Sequence, residues 1–236
     1  MRYRIYGKVS SSTENFVKCV SNQSSSLDTK TSQYVYTPQC PSYSNLLNSS
    51  VHNPRWINSV NQRPKFIVAP TNNDQIQAAI TCARAHGFGI RVLSGGHDYE
   101  GRFYRSKSRF VLIDLVNLNS ITINIDDETA WVQAGATVGE LYYNIANKSK
   151  THAFPAGLYP SVGVGGQFSG GGIGTLMRKY GLASDNILDA KIMNVEGEVL
   201  DRESMGKDLF WAIRGGAGPA SASYLRGGSG SSEFLP

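Results

Sequence analysis

Apolar positions in this chain fall into two kinds of pattern, short continuous runs and three-to-four-residue spacings, divided by turns rich in Gly, Asn and Pro. Residues 65–69, Lys-Phe-Ile-Val-Ala, form a continuous apolar run closed by Pro70, as a buried strand would. Ile76, Ala79, Ile80 and Ala83 then share one face of a helix over 74–86, with Thr71, Asn72 or Asn73 as its cap and Gly87 and Gly89 as its terminators. A strand over 89–93 completes a strand–helix–strand unit. Further strands are predicted over 110–115, 121–125 and 129–134. Leu141, Tyr142 and Ile145 mark a helix over 138–147, and 187–195 with 198–201 read as a hairpin turned at Glu196-Gly197. Strands alternating with helices place the chain in a mixed α/β class.

The two ends break this pattern. Residues 1–62 are rich in Ser, Asn and Gln and read as an N-terminal arm with one helix around 14–20. Eleven of the last 22 residues are Gly or Ser, so 217–236 reads as a disordered or aberrant tail after a main domain over 63–216.

Two segments carry candidate chemistry. At the end of the 89–93 strand, Ser94-Gly95-Gly96-His97-Asp98-Tyr99-Glu100-Gly101 sets paired glycines, a histidine and an acid on one turn. Glycines let backbone approach a ligand closely, and successive amides on such a turn form an anion site suited to pyrophosphate. The alternative is a surface loop with a solvated histidine. Later, seven glycines lie between 163 and 174, interleaved with Val164, Phe168 and Ile173, a mixture unlike a flexible Gly-Ser linker. It suits backbone lying against a large planar ligand. Neither segment matches G-x-G-x-x-G or the phosphate-loop pattern, so a nucleotide cofactor here would need another frame.

These motifs, with Thr175-Leu176-Met177-Arg178-Lys179-Tyr180-Gly181-Leu182-Ala183-Ser184-Asp185-Asn186 and Asp208-Leu209-Phe210-Trp211-Ala212-Ile213-Arg214-Gly215-Gly216, resemble the plant berberine bridge enzyme-like family of FAD-linked oxidoreductases, of the vanillyl-alcohol oxidase type. The resemblance runs over residues 14–216. It implies an α+β fold, a PCMH-type FAD-binding domain made of two α/β lobes, with the C-terminal substrate domain missing from a truncated chain. It implies FAD bonded covalently through His97, with the pyrophosphate held by Ser94, Gly95, Gly96, His97 and Asp98. Tyr99, Val162, Gly163, Gly166, Gly170, Gly171 and Gly174 complete the expected cofactor-binding set. Where bicovalent members carry a second attachment cysteine this chain has Tyr159, so a single link is expected; Gln167 replaces the family's usual histidine. Val162 stands where a small side chain would admit oxygen, or serves only as core packing. The resemblance also pairs Cys19 with Cys82 and leaves Cys40 over.

Activity follows from the same resemblance: hydride removal from an alcohol, sugar or specialised metabolite, with oxygen as acceptor. The family's catalytic base lies beyond residue 236, so no catalytic residue is assigned, and the chain is expected to bind FAD without turnover. The other readings are a noncatalytic flavin-binding remnant and a scaffold that takes up no FAD. Asp98 could orient His97 through the ring N–H, or serve only to form the turn. His52, His86 and His152 read as isolated, and Arg178 and Lys179 as a solvated helix face.

Composition narrows the rest. Net charge is +5 with no run of five like charges, so nothing suggests a nucleic-acid stripe. No apolar segment approaches the ~20 residues of a spanning helix. The three cysteines lack zinc-ligand spacing. Sequons at Asn22, Asn48 and Asn147 fit a secreted glycoprotein, and the family is apoplastic, yet the basic start lacks the apolar core of a signal peptide.

Overall fold

The computed structural model describes residues 11–23, 30–56, 63–216, 225–230 and 232–233. Val35–Tyr36 (β1) pairs antiparallel with Phe66–Val68 (β2), and Phe110–Asp114 (β4) runs parallel between β2 and Gly89–Leu93 (β3). All five residues of β4 are buried, which suits an unbroken apolar run in a sheet covered on both faces.

Both covers come in part from the segment read as an arm. Ser11–Gln23 (α1) and Asn73–Ala85 (α3) share a core with Phe66, Val68, Val111 and Ile113 on one face. Phe16 stacks 4.2 Å from Phe66 and meets Phe88 edge-on at 5.7 Å, and the Cys19–Cys82 disulfide fastens α1 to α3. Pro41–Ser49 (α2) covers the other face, packing Tyr43 and Leu47 with Ile67, Leu93, Phe110 and Leu112. Tyr43 donates to the Pro64 carbonyl at 2.7 Å, and burial pushes its phenol up to about 12, against the pull of Arg63. Cys40 is the free cysteine, as expected. Asn72 caps α3 by accepting from the Gln75 amide at 3.0 Å.

The second lobe is an antiparallel sheet. Its order is Ile121–Asn124 (β5), Thr129–Gln133 (β6), Leu225–Gly230 (β10), Ile187–Met193 (β8) and Val199–Leu200 (β9). Val138–Lys148 (α4) opens with a capping box between Thr137 and Glu140. The remaining elements are His152–Ala153 (β7), paired with Ser232–Glu233 (β11), then Val164–Ser169 (α5), Met177–Tyr180 (α6) and Arg202–Ala212 (α7). α7 is broken at Gly206, where φ is +66°.

Within the tail expected to be irregular, residues 225–230 instead pair with both β6 and β8. Ladder bonds come from the backbone, so a Gly-rich segment can fill a gap between strands with no apolar pattern of its own. The rest of 217–236 lies outside the described residues. Among the described residues no helix is long and apolar enough to cross a membrane.

Candidate functional site

The two glycine segments meet where the lobes join. β3 delivers the 94–98 turn, and the Ser94 hydroxyl donates to the Ala134 carbonyl at the end of β6. The 159–164 loop is pinned to the start of α4: Val138 and Gly139 donate to the carbonyls of Val162 and Pro160, and Val164 donates to Ala136, each at 2.9 Å. These bonds seat Gly163 on Gly95. The space a Cβ would need at either residue is taken by backbone of the other. Gly96, at φ +73°, lies against the Ser50 carbonyl, where a Cβ would stand 2.4 Å away.

Among the described residues, no acceptor takes the amides of Gly95, Gly96, His97 and Asp98. Four successive amides thus stand without an acceptor on one turn. The Ser94 hydroxyl, by contrast, is spent on the protein.

His97 is half-buried at the mouth of this turn. Its Nε2 lies 2.8 Å from Ser161 Oγ, Tyr159 meets it edge-on at 5.5 Å, and His52 stacks on it at 4.1 Å with an 18° interplanar angle. Burial holds its imidazole below the ordinary range; the nearby charge of His52 adds to this and hydrogen bonding to Ser161 opposes it. Nδ1 is left without a partner among the described residues.

One open alternative is decided and one sequence expectation needs correction. Asp98 does not orient His97: its carboxylate accepts from the Glu100 amide at 3.2 Å and from the Arg102 amide, so it forms the turn. His52 is not isolated, since it stacks on His97 and its Nε2 bonds the Gly95 carbonyl at 2.8 Å. Spacing points to neither His52 nor Ser161, because both reach the turn across more than forty residues; only Ser161, two residues before the second glycine segment, carries a local signal.

The other expected residues divide by position. Gly166 faces open space. Gly170 donates to Gly166, while Gly171 and Gly172 accept from Ser184 and Ala183. Gly174 lies on the Ala156 carbonyl, where a Cβ would stand 1.9 Å away. Val162 is partly buried against the core, and Tyr99 is 89% exposed. Gln167 Oε1 is buried without a partner among the described residues. Arg178 and Lys179 are exposed, as a solvated face requires. Two surface hollows lie elsewhere, about 920 Å³ beside α7 and about 400 Å³ behind α4, and neither includes His97. Polar groups gather instead at the turn, around His97.

Residues 64–202 match the FAD binding domain family. Berberine bridge enzyme-like 27 of Arabidopsis thaliana is 56% identical over 213 residues, which cover 90% of this chain and 39% of that relative. The chain belongs to the berberine bridge enzyme-like FAD-binding family. O-acetylstemmadenine oxidase of Catharanthus roseus is 52% identical over 205 residues, 87% of this chain and 38% of that relative. The solved berberine bridge enzyme-like protein 28 of Arabidopsis thaliana superposes with a TM-score of 0.85 at 46% identity, covering 94% of this chain and 43% of its own. The chain thus spans under two fifths of the length of these curated berberine bridge enzyme-like relatives.

Proposed function

We propose that this chain is the flavin-holding part of an FAD-dependent oxidoreductase acting on CH–OH groups of alcohols, sugars or specialised metabolites, with FAD attached through His97 alone. The observation that carries the reading is the juxtaposition of four acceptor-free amides at 95–98 with an imidazole whose Nδ1 has no partner among the described residues. In this reading the amides of 95–98 seat the pyrophosphate, with Ser94 bracing the turn through Ala134, while Gly163, Gly166, Gly170, Gly171 and Gly174 line the path of the planar ring system. FAD supplies the acceptor for hydride leaving a substrate C–H. The chain positions it: Ser161 fixes one ring nitrogen of His97, burial keeps the imidazole uncharged, and Tyr159 presents a phenol where a second attachment would need a thiolate. Oxygen is the proposed acceptor, supported by the small side chain at Val162.

By itself, the 236-residue polypeptide is proposed to hold FAD without turnover. Of the two carboxylates between 94 and 101, Asp98 is engaged by two amides and Glu100 by Arg102 at 2.9 Å, so neither stands ready as a general base there. Secretion to the apoplast is the proposed location, supported by the disulfide and by the exposure of Asn22, Asn48 and Asn147.

The test is acid precipitation of protein purified with FAD. Flavin colour should stay with the precipitate, and His97→Ala should release it to the supernatant. Protein that stays colourless after incubation with excess FAD would overturn the reading. Hydrogen peroxide formed on a panel of sugars and phenolic alcohols would overturn the absence of turnover.

A further inference from the structure

We propose that His52 is a positioning residue for His97, holding the plane of its ring and keeping it uncharged for attachment. The inference rests on the FAD reading above but concerns a contact that reading does not use.

His52 belongs to the stretch between α2 and Pro54–Trp56, far from the glycine segments in sequence. A carbonyl only accepts, so the bond at 2.8 Å to Gly95 requires that His52 Nε2 carry its hydrogen. That bond anchors the His52 ring to the turn it stacks on. Ser50 and His52 together line Gly96, whose missing Cβ would stand 3.4 Å from His52 Cδ2. His97 therefore has one ring face covered by His52, one edge fixed by Ser161 of the other lobe, and Tyr159 edge-on. Three contacts thus restrain its ring.

Stacking at 4.1 Å also penalises simultaneous protonation of the two rings, since like charges that close repel even in a screened site. Other titratable groups near the pair do not offset this. Asp98 spends its carboxylate on the turn, and Asp114 meets the pair only through Ser50. Attachment would join a ring nitrogen of His97 to the 8α carbon of FAD, each giving up a proton, with the electron pair reducing the flavin and dioxygen reoxidising it. A neutral imidazole is the nucleophile, so the stack favours the competent form.

The experiment follows two readouts in the unaltered chain, His52→Ala and His52→Phe. One is the ring-nitrogen NMR titration of His97 without FAD. The other is the rate at which added FAD becomes inseparable from protein in acid, followed by intact mass. His52→Ala should raise the His97 midpoint and slow attachment on the order of tenfold or more. His52→Phe keeps a stacked ring and should recover rate relative to His52→Ala. An unchanged titration and an unchanged rate in His52→Ala would overturn the proposal. Should the unaltered chain take up no FAD, the flavin reading fails, and the titration alone still decides whether His52 governs His97.

Discussion

Gly95 and Gly163 touch backbone to backbone: a methyl on Gly95 would stand 2.1 Å from the Gly163 nitrogen, and one on Gly163 2.2 Å from the Gly95 nitrogen. A methyl on Gly95 meets backbone alone, and one on Gly163 also meets the Ser94 hydroxyl at 2.0 Å, which is itself bonded to Ala134. Gly95→Ala and Gly163→Ala should each cost about 3 kcal/mol, lowering the melting temperature by roughly 6–12 °C. Both should also lose flavin, because the turn and the loop would have to part. Gly166→Ala, which meets open space, should leave melting nearly unchanged. Calorimetry on the three variants checks the contrast.

Ser161 holds His97 from the lobe opposite His52. Its hydrogen bonding raises the His97 pKa, so Ser161→Ala should move the imidazole midpoint further down. The ring also gains freedom to rotate, and covalent uptake of FAD should slow on the order of tenfold. NMR titration and intact-mass kinetics report the two effects separately. A midpoint that rises would count against the assigned contact.

Asp114 ends the central strand of the first sheet and is almost fully buried. Burial raises its carboxyl to about 6, against the lowering effect of the Val116 amide and the Ser50 hydroxyl. The folded pKa lies above the unfolded one. Its contribution to stability is therefore complete below about pH 4 and is lost as pH rises through about 6. The loss is on the order of 3 kcal/mol. Asp114→Asn should flatten that part of the profile, and urea midpoints at pH 4.5 and 7.5 would show it.

The disulfide closes a loop between residues separated by 63 positions. Loop entropy of that size is worth about 4 kcal/mol. Cys19→Ser should destabilise the first lobe by that order and expose Phe16, which packs on Phe66. Thermal melts with and without reductant, compared for the unaltered chain and Cys19→Ser, test this. Reductant should shift only the former.

What was legible in the sequence was whatever local pattern dictates. α3 and α4 appear within one or two residues of their expected bounds because cap, periodic face and terminator agree. The apolar runs of β2 and β4 were equally plain. α2 was not, because Pro-Ser-Tyr-Ser-Asn-Leu-Leu-Asn-Ser offers weak helix formers and only Tyr43 and Leu47 to bury. α7 was missed for a related reason: Gly206 interrupts its period. At the site, the glycines and His97 stood out by composition. The partners of His97 did not, since contacts closing over 45 residues to His52 and 64 to Ser161 leave no trace in spacing.

The order of elements along the chain has a consequence for biosynthesis. The four strands of the first sheet, its covering helices and both cysteines of the cross-link all lie before residue 115. The amino-terminal half therefore carries every element of that sheet before any of the second sheet is synthesised. The later half then completes a core that runs from Phe16 to Ile213, and brings the Ala134 carbonyl to Ser94.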